Sequence, residues 1–380
     1  MARCDTQSLA FTAMTGERRI TLREVAIAAG VSVATVSRAL NSDPQISQAT
    51  RERVAATAEA LGYIPDLAAR SLAVRASRTF GLMVPDATDP IHGTIVAGFE
   101  AAAQAAGYAV IVSNSLLDPA RERRAVREFR AHRADGLALM GAVLDLEAIA
   151  TMVRPSPVVF LNSERLKAGM PAQLPAGCLR PDDADGIRQL VGHLVGQGCR
   201  RMAYVGVVDR PGSNVVREQS FRESVRGHLG VGPIGSFAWA PDAREELAAA
   251  LRDARVDGVV AYDDRVALAL LDAFRAVGLS VPADVAVAGF DDIPFAAISN
   301  PRLTTVGQPA YEMGGLAAAE LLAAIETGDL APSRVLAVRL IERESTQRTS
   351  QAANRSGGRR PSPVGHRRPV ADKSATGSGS

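Results

Sequence analysis

Thr21-Leu-Arg-Glu-Val-Ala-Ile-Ala-Ala-Gly-Val-Ser-Val-Ala-Thr-Val-Ser-Arg-Ala-Leu-Asn41 decides how the N-terminal part of this chain folds. Leu22, Val25, Ala26 and Ala29 fall at helical spacing and give a first helix one apolar face. Gly30 ends that helix, because glycine takes a left-handed conformation at little cost. Ser32 is placed to cap a second helix through its side-chain oxygen. Val36, Ala39 and Leu40 form the buried side of this second helix, which leaves Val33, Ala34, Thr35, Ser37 and Arg38 facing outward. Helix, glycine turn and helix with a small polar and basic outer face make a helix-turn-helix, whose second helix reads base edges in the DNA major groove. A pair of amphipathic helices in an ordinary helical subdomain is the competing reading, and the surroundings decide between them.

A third helix follows Ser47, so residues 18–62 read as a three-helix headpiece after a disordered leader, 1–17. Residues 18–78 hold nine arginines against five acids, whereas the whole chain of 380 residues carries a net charge of only +2. A basic module on an acidic body suits a protein of which one part meets phosphate. In the linker 63–78, Pro65 and Asp66 open a short helix over Leu67–Leu72. So short a helix is unstable alone and is expected to form on DNA.

From Phe80 the rhythm changes. Short apolar runs at Phe80–Val84, Ala109–Val112, Gly136–Met140, Pro157–Leu161, Met202–Val208, Gly258–Ala261 and Val285–Gly289 alternate with amphipathic stretches. That alternation implies βαβ units and parallel sheets, and its length fits two sheets side by side. The boundaries expected for this body, 79–346, are a first lobe of about 79–161 and 291–325 and a second of about 162–290 and 326–346. Residues 347–380 are rich in Ser, Gly, Pro and Arg and read as a disordered basic tail. The three cysteines, Cys4, Cys178 and Cys199, show neither a disulfide framework nor zinc spacing, as suits a reducing cytoplasm. No run of 18 apolar residues predicts a membrane span, and the N-terminus does not read as a secretory signal.

Two motifs, T-L-R-E-V-A…A-G-V-S…T-V-S-R-A-L-N at 21–41 and L-G-Y-I-P-D-L-A-A-R-S-L at 61–72, resemble the headpiece of the lactose repressor/galactose repressor (LacI/GalR) family of bacterial regulators. The similarity runs on to about residue 346. It implies an all-α helix-turn-helix headpiece followed by an α/β, two-lobed, periplasmic-binding-protein-like effector domain. The DNA-facing set it implies is Thr21, Ser32, Val33, Ala34, Thr35, Ser37, Arg38, Asn41, Tyr63, Ala69 and Leu72. Val33 and Ala34 fall where the family meets the bases; they can touch a thymine methyl but make no bidentate bond, which leaves Arg38 and Thr35 the polar contact. Leu72 would wedge into the minor groove and kink the duplex, or else pack against the body.

For the body, the resemblance implies a ligand between the lobes, held by Arg217, Asp263 and Asp291, with Asp89 at the mouth. Aspartates accept from vicinal hydroxyls and an arginine fork donates to ring and hydroxyl oxygens, a set suited to a sugar. Trp239, the only tryptophan, stands where the family often covers the sugar's apolar face, or it is core. His92 is a further lining candidate. Asp89 and Asp263 stand where asparagine is usual, which disfavours an anionic ligand; Asp263 also reads simply as a helix cap. The tail lacks the leucine heptads of a tetramer, so a homodimer on a palindromic operator is expected.

Nucleotide-binding, zinc-protease and nucleophile-elbow motifs are missing and the five histidines are isolated, so neither an enzyme nor a cofactor or metal is expected. The expected function is a cytoplasmic, nucleoid-associated repressor of carbohydrate genes under effector control. The alternatives are an exported sugar-binding transport protein, which leaves the headpiece without a use, and a regulator with a purine or nucleoside corepressor.

Overall fold

The computed structural model describes residues 20–41, 43–63, 77–163, 176–207, 211–329 and 332–348, in two compact units, Met1–Ser77 and Arg78–Ser380. The leader, the linker helix with Asp66, Ala69 and Leu72, and the tail from 349 lie outside the described residues.

The first unit holds α1 (Leu22–Ala29), α2 (Val33–Leu40) and α3 (Gln48–Ala60). Each starts on a side-chain cap: Thr21, Ser32 and Ser47 accept from the backbone N–H of Glu24, Thr35 and Thr50. Thr21 and Glu24 close a reciprocal capping box. Gly30, at φ 66°, lets the chain turn from α1 into α2. Helices of 8, 8 and 13 residues are marginal alone. They are held by a shared core of Val25, Ala26, Ala29, Val36, Ala39, Val54 and Ala58. Leu40, expected inside, is half-buried at the edge of that core.

The second unit is α/β. Its strands are β1 (Thr79–Val84), β2 (Ala109–Asn114), β3 (Gly136–Met140), β4 (Val158–Leu161), β5 (Ala176–Pro181), β6 (Met202–Gly206), β7 (Gly235–Ala238), β8 (Gly258–Ala261), β9 (Ala286–Ala288), β10 (Thr305–Gly307), β11 (Arg334–Leu336) and β12 (Arg339–Ile341). Its helices are α4 (Pro90–Ala105), α5 (Pro119–Ala131), α6 (Leu146–Val153), α7 (Asp183–Gly196), α8 (Pro211–Leu229), α9 (Arg244–Asp253), α10 (Asp264–Ala276) and α11 (Ala310–Thr327). A first sheet runs β11-β5-β4-β3-β1-β2 and a second β7-β6-β8-β9, all parallel; β10 and β12 form a separate antiparallel pair. Strands β3, β4 and β8 are buried along their whole length, as expected where helices cover both faces of a parallel sheet.

Two expected lobe boundaries shift. β5 pairs with β4, Val158 opposite Ala176, and β11 pairs with β5, Arg334 opposite Leu179. Both therefore belong to the first sheet, although the sequence pattern places 162–290 and 326–346 in the second lobe. Strands join through backbone hydrogen bonds, and short runs such as Arg334–Leu336 carry no periodicity that reveals their partner.

In the first lobe α4 and α11 cross at backbone contact. A Cβ on Gly98 would stand 2.0 Å from the Tyr311 carbonyl oxygen, and one on Gly314 2.1 Å from that of Ile95. This contact joins 310–327 to the first lobe despite its distance in sequence, so the chain crosses between lobes more than once.

Candidate functional site

In α2, Val33 is 44 % exposed, and Ala34 and Arg38 are also exposed. Ser32 and Thr35 are engaged with each other: their hydroxyls lie 2.8 Å apart, and Ser32 Oγ accepts from the Thr35 N–H at 3.0 Å. Ser37 is half-buried, Asn41 ends α2, and Tyr63 packs on the headpiece core. Thr21 serves as the α1 cap. The outward surface of α2 thus pairs small apolar groups with one guanidinium.

The body carries a cleft at the C-terminal ends of strands from both sheets, where open α/β sheets bind ligands. Its inner chamber is lined by Asn162, Asp183, Arg217, Tyr262, Asp291 and Gln308 among others. An outer chamber, continuous with it at Pro85, Leu117 and Tyr262, takes in Asp86, Trp239, Asp263 and Arg265.

Arg217, on α8, is the centre of the inner chamber. Its Nε–H donates to Asp183 Oδ1 at 2.8 Å and Nη1 to the Tyr262 carbonyl at 2.6 Å, while Nη2 lies 3.7 Å from Asp291 Oδ1. The guanidinium stands 3.7 Å from the centre of the Phe290 ring. Burial works to lower its pKa, but Asp183 and then Asp291 outweigh it and hold the group above its ordinary value. Asp291 is pushed up to about 8, first by burial; Arg217 acts against this, and Asp263 and Asp89 add to it. Gln308 Nε2 donates to Asp291 Oδ1. Asp291 and Asp292 both sit at positive φ, 115° and 56°, a strained conformation for residues with side chains. The Asp291 N–H is pinned to the Val306 carbonyl at 2.7 Å and the Asp292 carboxylate to Arg343 at 2.7 Å.

Beneath this loop Asp264 is fully buried, accepting from the Ile293 N–H at 2.9 Å and from the Thr305 hydroxyl. Burial, and then Asp291, raise its pKa well above the usual carboxylate value. Gly289 leaves room for it: a Cβ there would lie 2.2 Å from Asp264 Oδ1.

Asp263, in the outer chamber, caps α10, and Asp89, just behind the chamber wall, caps α4. Arg265 reaches Asp89 Oδ2 at 3.0 Å, Asp86 Oδ2 at 3.3 Å and Asp263 Oδ2 at 3.4 Å. One guanidinium on the second lobe therefore gathers three carboxylates, two of them from the first lobe. Trp239 is half-buried; it lines the outer chamber and packs on the second-lobe core. Asp263 is likewise both cap and lining residue. His92 lines the inner chamber, with Nδ1 2.8 Å from the Asp86 carbonyl oxygen.

The structure brings the expected Arg217, Asp263 and Asp291 to one cleft, and Asp89 lies behind its wall, paired with the lining residue Arg265. Asp183, Arg265, Asn162 and Gln308 were not anticipated. Asn162 follows directly on β4 and Asp183 comes two residues after β5, and position at a strand's C-terminal end was the available signal. Among the described residues, Asn162 Oδ1 and Gln308 Oε1 are buried without a hydrogen-bond partner. Buried acceptors in that state call for donors from a ligand or from water.

A helix-turn-helix headpiece joined to a two-lobed, periplasmic-binding-protein-like body defines a ligand-sensing DNA-binding protein. Residues 21–66 match the bacterial regulatory proteins of the lacI family, and residues 191–346 the periplasmic binding protein-like domain. The chain is 31 % identical over 336 residues to the HTH-type transcriptional regulator GalS of Salmonella typhimurium, an alignment covering 86 % of this chain and 96 % of GalS. It is 31 % identical over 332 residues to the ribose operon repressor of Bacillus subtilis, covering 86 % and 99 %. A lac repressor dimer, bound to operator and the anti-inducer ONPF, superposes with a TM-score of 0.76 at 27 % identity, covering 87 % of this chain and 99 % of that one. This chain belongs to the lacI family of bacterial regulatory proteins. It is a helix-turn-helix transcriptional regulator. No helix among the described residues is long and apolar enough to cross a membrane.

Proposed function

We propose that this protein is a cytoplasmic repressor of carbohydrate-metabolism genes, a homodimer on a palindromic operator whose affinity is set by a sugar bound between the lobes. The observation that carries the reading is the inner chamber's donor and acceptor inventory. The Asp183 carboxylate and the unpartnered oxygens of Asn162 and Gln308 line the chamber that holds the buried Arg217 guanidinium, and Asp291 adds a carboxyl group that both donates and accepts while it is protonated. Such a set offers many acceptors and few donors, which suits vicinal hydroxyls. A relative named as a ribose operon repressor supports the same class. A DNA-binding headpiece disfavours the transport reading, and relatives that are regulators disfavour an enzyme.

Bases are read by Val33, Ala34 and Arg38; Thr35, expected to share the polar contact, has its hydroxyl on Ser32 and instead joins Thr21, Ser32, Ser37, Asn41 and Tyr63 in holding the helix and contacting phosphate, while Ala69 and Leu72 act in the minor groove. Effector binding shifts the balance between two lobe arrangements. It changes operator affinity only as far as it binds those two arrangements unequally.

The test is a thermal-shift screen of the full chain against monosaccharides, disaccharides, polyols, sugar acids, nucleosides and purine bases. At a hundredfold excess over Kd a true effector stabilises by about 2.7 kcal/mol. A shift with a neutral sugar that Arg217→Ala abolishes supports the reading. A response confined to nucleosides or purines overturns it in favour of a purine-type corepressor.

A further inference from the structure

The first sheet separates charge between its two faces. Alternate residues of β1 point to opposite sides: Phe80, Leu82 and Val84 pack with α4 and α11, and Met83 packs with α5 and α6. Neither α4 nor α11 contains a lysine or arginine; their charged residues are Glu100, Glu312, Glu320 and Glu326. On the other side, α5 reads Pro119-Ala-Arg-Glu-Arg-Arg-Ala-Val-Arg-Glu-Phe-Arg-Ala131. Arg121, Arg123, Arg124, Arg127 and Arg130 are all exposed, and Arg133 follows just past the helix end, also exposed.

Few acids offset them, although Asp145 and Glu147 at the start of the adjacent α6 are exposed on the same side of the sheet. Glu122 is fully buried, accepting from the backbone N–H of Val143 at 2.9 Å and of Leu144 at 2.8 Å. Asp118 is committed to the helix cap, where it accepts from the N–H groups of Ala120 and Arg121, and the charges of Arg121 and Arg124 act on it. Glu128 is the one exposed acid within the helix. Arginines at 121/124, 123/127, 124/127 and 127/130 are neighbours on the helix surface and repel. Arg121 also lies in the first turn, at the positive end of the helix dipole. Arg130 in the last turn and the Arg124/Glu128 spacing favour the helix, but the repelling pairs outnumber them, and an external anion relieves that repulsion.

We infer that the outer face of α5 is a second DNA-contacting surface, which binds duplex phosphates without reading sequence. A helix of this length rises about 20 Å. Duplex DNA presents one phosphate charge per ~1.7 Å of axis, so a stretch of equal length offers more than enough partners. The positive charges on α5 are all arginine, whose planar fork fits phosphate oxygens in pairs. A second copy of the chain is a poorer match. Its acidic face offers only Glu100, Glu312 and Glu326, because Glu320 is buried and paired with Arg334.

The test uses the full chain and a random-sequence duplex, with binding followed by fluorescence anisotropy over a range of salt concentrations. The variant is the triple substitution Arg123→Gln, Arg127→Gln and Arg130→Gln. Every arginine–phosphate pair it removes should flatten the plot of log K against log salt by about 0.9, so by up to roughly 2.7 for three. Low-salt affinity should fall at least tenfold, with thermal stability equal or higher. The matching triple with Lys keeps the charge and should keep most of the slope. An unchanged slope in the Gln triple overturns the proposal and leaves a solvated face. So does a loss of self-association without a change in slope, which assigns the face to a second copy.

Discussion

Arg265 Nη2 stands 3.0 Å from Asp89 Oδ2, and this contact ties the first turn of α10 in the second lobe to the cap of α4 in the first. Asp89 and Asp263 are 1 % and 2 % exposed, and Arg265 lies within ion-pair distance of both, which makes the two carboxylates tolerable so far from water. The acids that differ from the family's usual asparagines are thus matched by a nearby cation. A ligand that uses them competes with Arg265.

Arg265→Gln should therefore destabilise the body. Breaking a buried pair costs about 3–5 kcal/mol, but the Arg265 side chain is 38 % exposed and screened, so a loss of about 1–3 kcal/mol in urea unfolding is expected. Asp89→Asn in the same chain should recover part of it, with a coupling of at least ~0.5 kcal/mol in the double-mutant cycle. Strict additivity would mean that Arg265 does not neutralise Asp89.

Asp291 gives the fold a pH dependence of definite sign. Its pKa is raised from the unfolded carboxylate value to about 8, so between those limits the native state binds more protons than the unfolded chain. Stability falls as pH rises from about 4 to about 8 and levels off above, at no more than ~1.4 kcal/mol per pH unit for one proton. Asp264, raised in the same direction, adds to the fall. In Asp291→Asn the decline should be shallower, and the variant should gain on the parent most at the alkaline end. Urea unfolding at a series of pH values reads this directly. An identical pH profile in both proteins would show that Asp291 ionises in the fold as it does in water.

The crossing of α4 and α11 tolerates no side chain at its two glycines. Gly314→Ala would place a Cβ 2.1 Å from the Ile95 carbonyl oxygen and 2.8 Å from the Phe99 nitrogen, both backbone atoms that cannot turn aside. The helices must part, which costs at least about 1–3 kcal/mol as overpacking does. A melting temperature lower by several degrees is expected, and Gly315→Ala, whose Cβ would meet its nearest neighbour at an ordinary 3.7 Å, should be near neutral.

Local patterns were legible in the sequence, and pairings between distant segments were not. Val25, Ala26, Ala29 and Val36 announced the headpiece core by helical spacing, and Ser32 its cap, because helix signals lie within one or two turns. Arg217 and Asp291 came with motifs of the family resemblance. Asp183 had no such marker: it sits 34 residues from Arg217 and reaches it only because β5 joins the first sheet and ends at the cleft. Arg265 looked like an ordinary helical arginine, since its partners Asp86 and Asp89 are about 180 residues away in the chain. Gln308 precedes a helix and carries no pattern, and only the parallel bridge between Asp291 and Gly307 brings it to Asp291.

Arg38 separates base reading from phosphate binding. On the outer side of α2, Val33 and Ala34 have no polar side-chain atoms, and the Ser32 and Thr35 hydroxyls are occupied with each other. Arg38 is left as the exposed group able to give two parallel hydrogen bonds to a base, with guanine its best partner. Arg38→Ala should cost about 1–3 kcal/mol on the cognate operator and relax the preference at one base pair of each half-site. On random DNA the effect should not exceed that of one phosphate neutralised, a change in salt slope of about 0.9 or less. The operator comes from in vitro selection with the parent protein, and anisotropy on cognate and scrambled duplexes gives both numbers. Equal reductions on the two duplexes would make Arg38 a backbone-binding residue and leave base recognition to the methyl-sized surfaces of Val33 and Ala34.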